Sequence, residues 1–169
     1  MNMRFIPEDD VSSCKGFSVL ELLIAAVLVL IVISYAVTTV VRGQKPALRT
    51  NAARQVVNYL QQARNDSMRR RATVTSEMAQ ITILNERYYS VTMDANGDGV
   101  LDTPLLVRLV EQHVSLGGPF PRTYMFDSHG KPVDSNGNLI KASPITVSNS
   151  SGTNMIKLSD AGQPQMDGS

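Results

Sequence analysis

Hydrophobic and polar positions divide the chain into three regimes. From Phe17 to Val41 the residues are apolar almost without interruption; one charge, Glu21, stands near the start, and from Leu22 to Val41 no residue is ionised. A run of about 20 apolar residues, rising ~1.5 Å each as a helix, crosses a hydrocarbon core of roughly 30 Å. From Ala47 to Arg71 the pattern changes to a helical stripe: Ala53, Val56, Val57, Leu60, Ala63 and Ser67 recur on one face, with Arg54, Asn58, Gln61 and Asn65 opposite. This predicts an amphipathic helix that lays one face on a sheet. Pro46 should kink or restart the helix, and Arg69-Arg70-Arg71 should close it, since cations suit a helix C-terminus.

Beyond the helix the pattern is that of strands. Gln80 to Leu84 and Arg87 to Met93, rich in Ile, Thr, Tyr and Val, flank Asn85-Glu86 and predict a hairpin. Leu105 to Leu116 alternates loosely, and shorter candidates are Tyr124 to Phe126, Ile145 to Val147 and Met155 to Leu158. One long N-terminal helix before a strand-rich domain is an α+β arrangement. The expected organisation is a leader over 1–16, a membrane helix over 17–41, an amphipathic continuation over 42–71 and a β-rich domain over 72–169.

Composition and charge narrow the reading. Of 16 basic and 15 acidic residues, two and three lie in the leader, which leaves a net charge of +2 on the remainder. That balance argues against binding a polyanion by bulk charge. Cys14 is the only cysteine, so the domain must rely on its core rather than on disulfides. An ordinary secretory signal is cut after its apolar region at small residues, whereas Arg42-Gly43-Gln44-Lys45-Pro46 follows here; a lipoprotein cysteine would also follow the apolar region, and Cys14 precedes it. Arg42, Lys45 and Arg49 lie beyond the run, so the positive-inside rule alone does not put the N-terminus in the cytoplasm.

The segment Lys15-Gly16-Phe17-Ser18-Val19-Leu20-Glu21-Leu22-Leu23 resembles a type IV prepilin signal. The resemblance implies cleavage between Gly16 and Phe17 by a prepilin peptidase in the inner membrane, N-methylation of Phe17, and assembly with other pilin or pseudopilin subunits through the apolar helix. It also sets the orientation, single pass with the C-terminal domain in the periplasm. Glycine before the cut presents no side chain to obstruct a protease. A carboxylate inside an apolar segment is costly, and Glu21 can pair with the Phe17 amine of a neighbouring subunit, which sets register more than raw stability. A plain membrane-anchored periplasmic domain is the alternative.

Three further segments resemble the GspH/FimT-type pseudopilins and minor pilins: Leu60 to Arg70, Phe126-Asp127-Ser128-His129-Gly130-Lys131-Pro132, and Ile156-Lys157-Leu158-Ser159-Asp160-Ala161-Gly162. The resemblance implies a structural subunit of a type IV pilus or a type II secretion pseudopilus, with no catalysis. Some members bind DNA through a basic C-terminal end. Here no Arg or Lys follows Lys157, so the tail has no cations with which to neutralise phosphates; Arg64 with Arg69 to Arg71 is the remaining candidate patch for nucleic acid.

The most chemical-looking motif is Asp94-Ala95-Asn96-Gly97-Asp98-Gly99-Val100-Leu101-Asp102. Oxygen-bearing side chains at alternating positions followed by glycine resemble the start of a calcium loop, with Asp94, Asn96, Asp98 and Asp102 as side-chain ligands of Ca2+ and Val100 offering a carbonyl. Leu105 stands where such a loop has its bidentate Glu. The other reading is a glycine-rich turn between two strands. His113 and His129 lack metal-ligand spacing, and Asp127-Ser128-His129, adjacent in sequence, do not make a triad, which is a spatial arrangement. With no phosphate-binding glycine loop, HExxH or GxSxG, the sequence gives no ground for an enzyme.

Overall fold

A computed structural model describes residues 18–109 and 113–167, and of residues 41 and 42 the backbone alone. The chain divides into two units, Met1–Val40 and Val41–Ser169. It is an α+β protein, with a long N-terminal helix, α1 (Val19–Arg70), followed among the described residues by nine strands.

In the first unit every described side chain from Val19 to Val40 is exposed, and α1 is long and apolar enough to cross a membrane. The hydroxyls of Ser34, Thr38 and Thr39 are satisfied by their own helix. Ser34 Oγ donates to the Leu30 carbonyl, Thr38 Oγ1 to those of Ser34 and Tyr35, and Thr39 Oγ1 to that of Tyr35. Hydroxyls bonded back to their own helix tolerate apolar surroundings that free hydroxyls do not.

Pro46 does not restart the helix; α1 runs through it. Proline removes one N–H, and the neighbouring rungs of the ladder continue. In the second unit the apolar stripe is buried as its spacing requires: Ala53, Val56, Leu60, Ala63 and Ser67 are buried, while Arg54, Asn58, Gln61 and Asn65 are exposed. Ser67 is buried for a polar reason, since its Oγ accepts a hydrogen bond from the Ala79 N–H (2.9 Å). The helix ends in a Schellman turn. Arg71 N donates to Met68 O and Ala72 N to Ser67 O, with Arg71 at φ 54° where glycine is usual.

The strands form two antiparallel sheets. β1 (Gln80–Ile83), β2 (Tyr88–Thr92), β3 (Leu105–Arg108), β5 (Arg122–Phe126) and β6 (Pro132–Val133) make the first, ordered β3-β2-β1-β5-β6. β4 (Ser115–Gly117), β7 (Ile145–Asn149), β8 (Gly152–Leu158) and β9 (Pro164–Asp167) make the second, ordered β4-β7-β8-β9. The β1–β2 hairpin forms as its pattern predicts, Ile83 facing Tyr89, and Asn85 Oδ1 closes its turn by accepting from the N–H groups of Arg87 and Tyr88. One core joins the helix stripe to Ile81, Ile83, Tyr89, Val91, Tyr124 and Phe126 of the first sheet and to Leu116, Ile145, Val147 and Ile156 of the second.

Leu105 to Leu116 is not one strand. Its first part is β3, on the edge of the first sheet, and its last part contributes β4, on the edge of the second. Leu109 and Leu116 both hydrogen-bond to the β1–β2 turn, at Arg87 O and Glu86 O, so the chain changes sheets around that turn. The loose alternation reflects this crossing.

Candidate functional site

Gly16 and Phe17, the expected cleavage and methylation positions, lie outside the described residues. Glu21 is in the first turn of α1, where a carboxylate meets the positive end of the helix dipole. Its side chain is exposed, and it has no ion-pair partner among the described residues.

The three segments that carry the GspH/FimT resemblance meet at one point in the second unit. Arg64, on α1, donates from Nε to the Gly130 carbonyl (3.0 Å) and to the Ala161 carbonyl (3.3 Å). Gly130 and Gly162 are both left-handed, at φ +75° and +74°. A Cβ on Gly162 would stand 1.8 Å from the Gly130 oxygen, and one on Gly130 would stand 2.7 Å from Met68 Sδ. Backbone conformation disfavours a side chain at both positions, and at Gly162 the Gly130 backbone leaves no space for one. One guanidinium thus clamps the turn after β5 and the turn after β8 onto the helix.

A second polar junction joins the helix end to the acidic loop. Asp66 is 6% exposed. It accepts from Arg69 Nη2 (2.9 Å), from Arg70 Nε (2.9 Å) and from the Asp94 N–H (3.1 Å). Arg70 Nη2 also lies 2.8 Å from Asp66, close enough for ion pairing but not aligned for a hydrogen bond. Burial raises the Asp66 carboxyl pKa, but the hydrogen bonds from Arg70, Arg69 and the Asp94 backbone outweigh it and hold the group below the usual carboxylate range. Arg69 reaches on to Asp94 Oδ2 (2.8 Å) and to the Asp94 carbonyl (3.1 Å).

The expected calcium ligands are placed as follows. Asp94, its side chain 1% exposed, also accepts from the N–H groups of Gly97 (2.6 Å) and Gly99 (2.9 Å). Burial works against its charge, and these two bonds together with Arg69 lower its pKa. Asn96 Nδ2 donates to Asp98 (3.0 Å) and to Asp102 (3.3 Å). Asp98 Oδ1 accepts from Val100 N, and Asp102 Oδ2 from Ala95 N. Asn96, Asp98 and Asp102 therefore come together, while Asp94 turns to Arg69. Among the described residues no three His, Cys, Asp or Glu side chains are grouped to hold one metal ion. Leu105 begins β3 and is 50% exposed.

Compared with family models, curated proteins and solved structures, the chain matches none. Its functional reading therefore rests on its own residues.

The cations considered for nucleic acid have internal partners in most cases. Arg64 is on two carbonyls and Arg69 and Arg70 are on Asp66; Arg71 is exposed. Asp127, Ser128 and His129 share a surface turn in which Asp127 Oδ1 accepts from the His129 and Lys131 N–H groups. The sequence places Arg64 and Arg69 in a candidate nucleic-acid patch at the helix end and does not single out Asp66. The long-range partners, Gly130 and Ala161 for Arg64 and Asp94 for Arg69, lie far along the chain, and the resembling segments are the signal that brings Arg64 together with its two turns.

Proposed function

We propose that the chain is a structural subunit, a minor pilin or pseudopilin, of a type IV pilus or type II secretion pseudopilus. A prepilin peptidase cuts it after Gly16. The new end at Phe17 is methylated, and the apolar helix first anchors the protein in the inner membrane with the domain in the periplasm. The subunit then leaves the bilayer and packs this helix among those of neighbouring subunits.

The observation that carries the reading is the state of the first unit. Glu21 stands alone as a charge at the mouth of a helix whose apolar side chains are exposed from Val19 to Val40. Apolar surface of that extent requires cover by lipid or by similar helices. The carboxylate requires a cation, and its own chain supplies none among the described residues. The Phe17 amine of a neighbouring subunit meets that need, and a long N-terminal helix followed by antiparallel sheets is consistent with the fold that the prepilin resemblance implies.

Replacing Glu21 tests the assignment. Glu21→Ala should leave cleavage nearly intact, because the cut depends on Gly16. Incorporation should fall on the order of tenfold or more, as expected when one member of a buried ion pair is removed. The check is the ratio of mutant to native protein in sheared filaments, normalised to membrane abundance. Native-level incorporation of Glu21→Ala would refute the role. A bulky residue in place of Gly16 should instead leave full-length precursor in the membrane.

A further inference from the structure

The second unit holds a buried cation that no described residue neutralises. Arg49 is 7% exposed, its Nε has no hydrogen-bond partner, and no carboxylate pairs with it among the described residues. It lies beneath the β7–β8 turn, close enough that a Cβ on Gly152 would stand 2.2 Å from Nη1. Residues of the same turn wall a cleft of about 320 Å³ lined by Lys45, Leu48, His113, Asn149 and Ser150. His113 and Asn149 also border a neighbouring hollow that adds Arg87 and Glu86.

The cleft is preformed. Asn149 Nδ2 donates to the Lys45 carbonyl (2.7 Å), and Asn149 Oδ1 accepts from Ser151 N (2.9 Å) and Ser151 Oγ (2.6 Å). These bonds fix the turn against α1. The Lys45 ammonium, the His113 ring and the Ser150 hydroxyl remain without partners among the described residues. The cleft thus offers an ammonium, an imidazole and a hydroxyl, with the Arg49 guanidinium beside Gly152 of the same turn and no carboxylate among the described lining residues. This donor set suits an anion with several acceptor oxygens.

Chain distance indicates where that anion comes from. Lys45 follows Val41, the last residue of the apolar run, by four positions, about 6 Å along a helix. The headgroup layer adds roughly 5–8 Å on each side of the hydrocarbon core. We propose that this cleft binds the phosphate group of an anionic phospholipid in the leaflet facing the domain. The assignment rests on the membrane reading of the apolar run given above.

The test uses the full chain reconstituted into vesicles of phosphatidylcholine alone or of phosphatidylcholine with phosphatidylglycerol. After extraction in neutral detergent, native mass spectrometry counts the lipids retained per chain. Phosphatidylglycerol should be retained in preference to phosphatidylcholine. Lys45→Gln should weaken that preference about fivefold, the worth of one cation near an anionic surface. Ser150→Asp, which brings a carboxylate to the cleft, should abolish it. Both positions are exposed, and an unchanged near-UV spectrum verifies the fold. Equal retention of the two lipids, or no change in either variant, overturns the cleft assignment; co-flotation with both vesicle types then leaves the anchor reading standing. Failure to co-float overturns the anchor and the cleft together. Displacement of phosphatidylglycerol by inorganic phosphate at similar concentration would overturn the lipid as the source.

Discussion

Gly162→Ala probes the clamp that ties the two turns to the helix. Gly162 sits at φ +74°, and its new Cβ would lie 1.8 Å from the Gly130 carbonyl oxygen. The left-handed conformation alone costs a residue with a side chain about 1–2 kcal/mol. Stiffening of the unfolded chain returns about 0.4–1 kcal/mol. Gly99→Ala isolates that part, because Gly99 has φ +90° with nothing within 4 Å of a Cβ. It should destabilise by about 0.5–1 kcal/mol. At Gly162 the Gly130 carbonyl must also move away, which separates it from Arg64 Nε, now 3.0 Å distant. A hydrogen bond to a charged group is worth about 1.5–3 kcal/mol, so Gly162→Ala should cost about 2–4 kcal/mol in all. For a chain of this size that lowers the thermal midpoint by roughly 5–15 °C, against a few degrees for Gly99→Ala.

The assay is thermal unfolding of the full chain in detergent, followed by near-UV circular dichroism of the tyrosines. Of the five tyrosines, four lie in the second unit, with Tyr89 and Tyr124 in its core, while Tyr35 of the apolar helix is exposed; the chain has no tryptophan, so the signal is dominated by the domain. In an Arg64→Met background the extra cost at Gly162 should shrink, because the bond it breaks is already gone. Gly162→Ala and Gly99→Ala agreeing within about 0.5 kcal/mol, the usual scatter of independent sites, would refute the clamp.

Three other outcomes follow from the same structure. Tyr89 is fully buried, its hydroxyl has no partner among the described residues, and burial raises its pKa; Tyr89→Phe should therefore stabilise the domain by about 1 kcal/mol, and a loss of stability would reveal a bond to that oxygen. The folded-state pKa values of Asp66 and Asp94 are lowered, so their stabilising contribution is full above the ordinary carboxylate range and is lost as pH falls through the folded values; the thermal midpoint should drop below about pH 4, less steeply in Asp66→Asn, and an unchanged slope in that variant would exclude the pair as its source. The Asp94–Asp102 loop is closed by its own hydrogen bonds and Arg69, so calcium and chelator should give the same thermal midpoint; a rise with calcium that Asp98→Asn removes would restore the metal reading.

The legible parts of the fold were those set by local periodicity. The helical stripe from Ala53 to Ser67 and the hairpin around Asn85-Glu86 follow from spacing and turn chemistry. β6 and β9 were not legible. Both are short edge strands that begin with proline, at Pro132 and Pro164, where a missing N–H costs no ladder bond and no alternation marks them. Of the two outcomes the sequence allows at Pro46, a kink or a restart, the restart does not occur, since α1 runs through it and the ladder tolerates one absent donor. The acidic loop was recognised as chemistry, but its attachment to Arg69 spans 25 residues and leaves no periodic trace. In the sequence Arg49 is only a charge beyond the apolar run, and the turn folded over it at Gly152 makes it a buried one.

The central claim is that this chain is a processed subunit, and its N-terminus tests that most directly. Mass spectrometry of the N-terminal peptide should be run on cells with and without the prepilin peptidase. The account predicts a peptide beginning with N-methyl-Phe17 that is found only when the peptidase is present. An intact Met1 end in both strains would contradict it and leave a plain membrane anchor in its place.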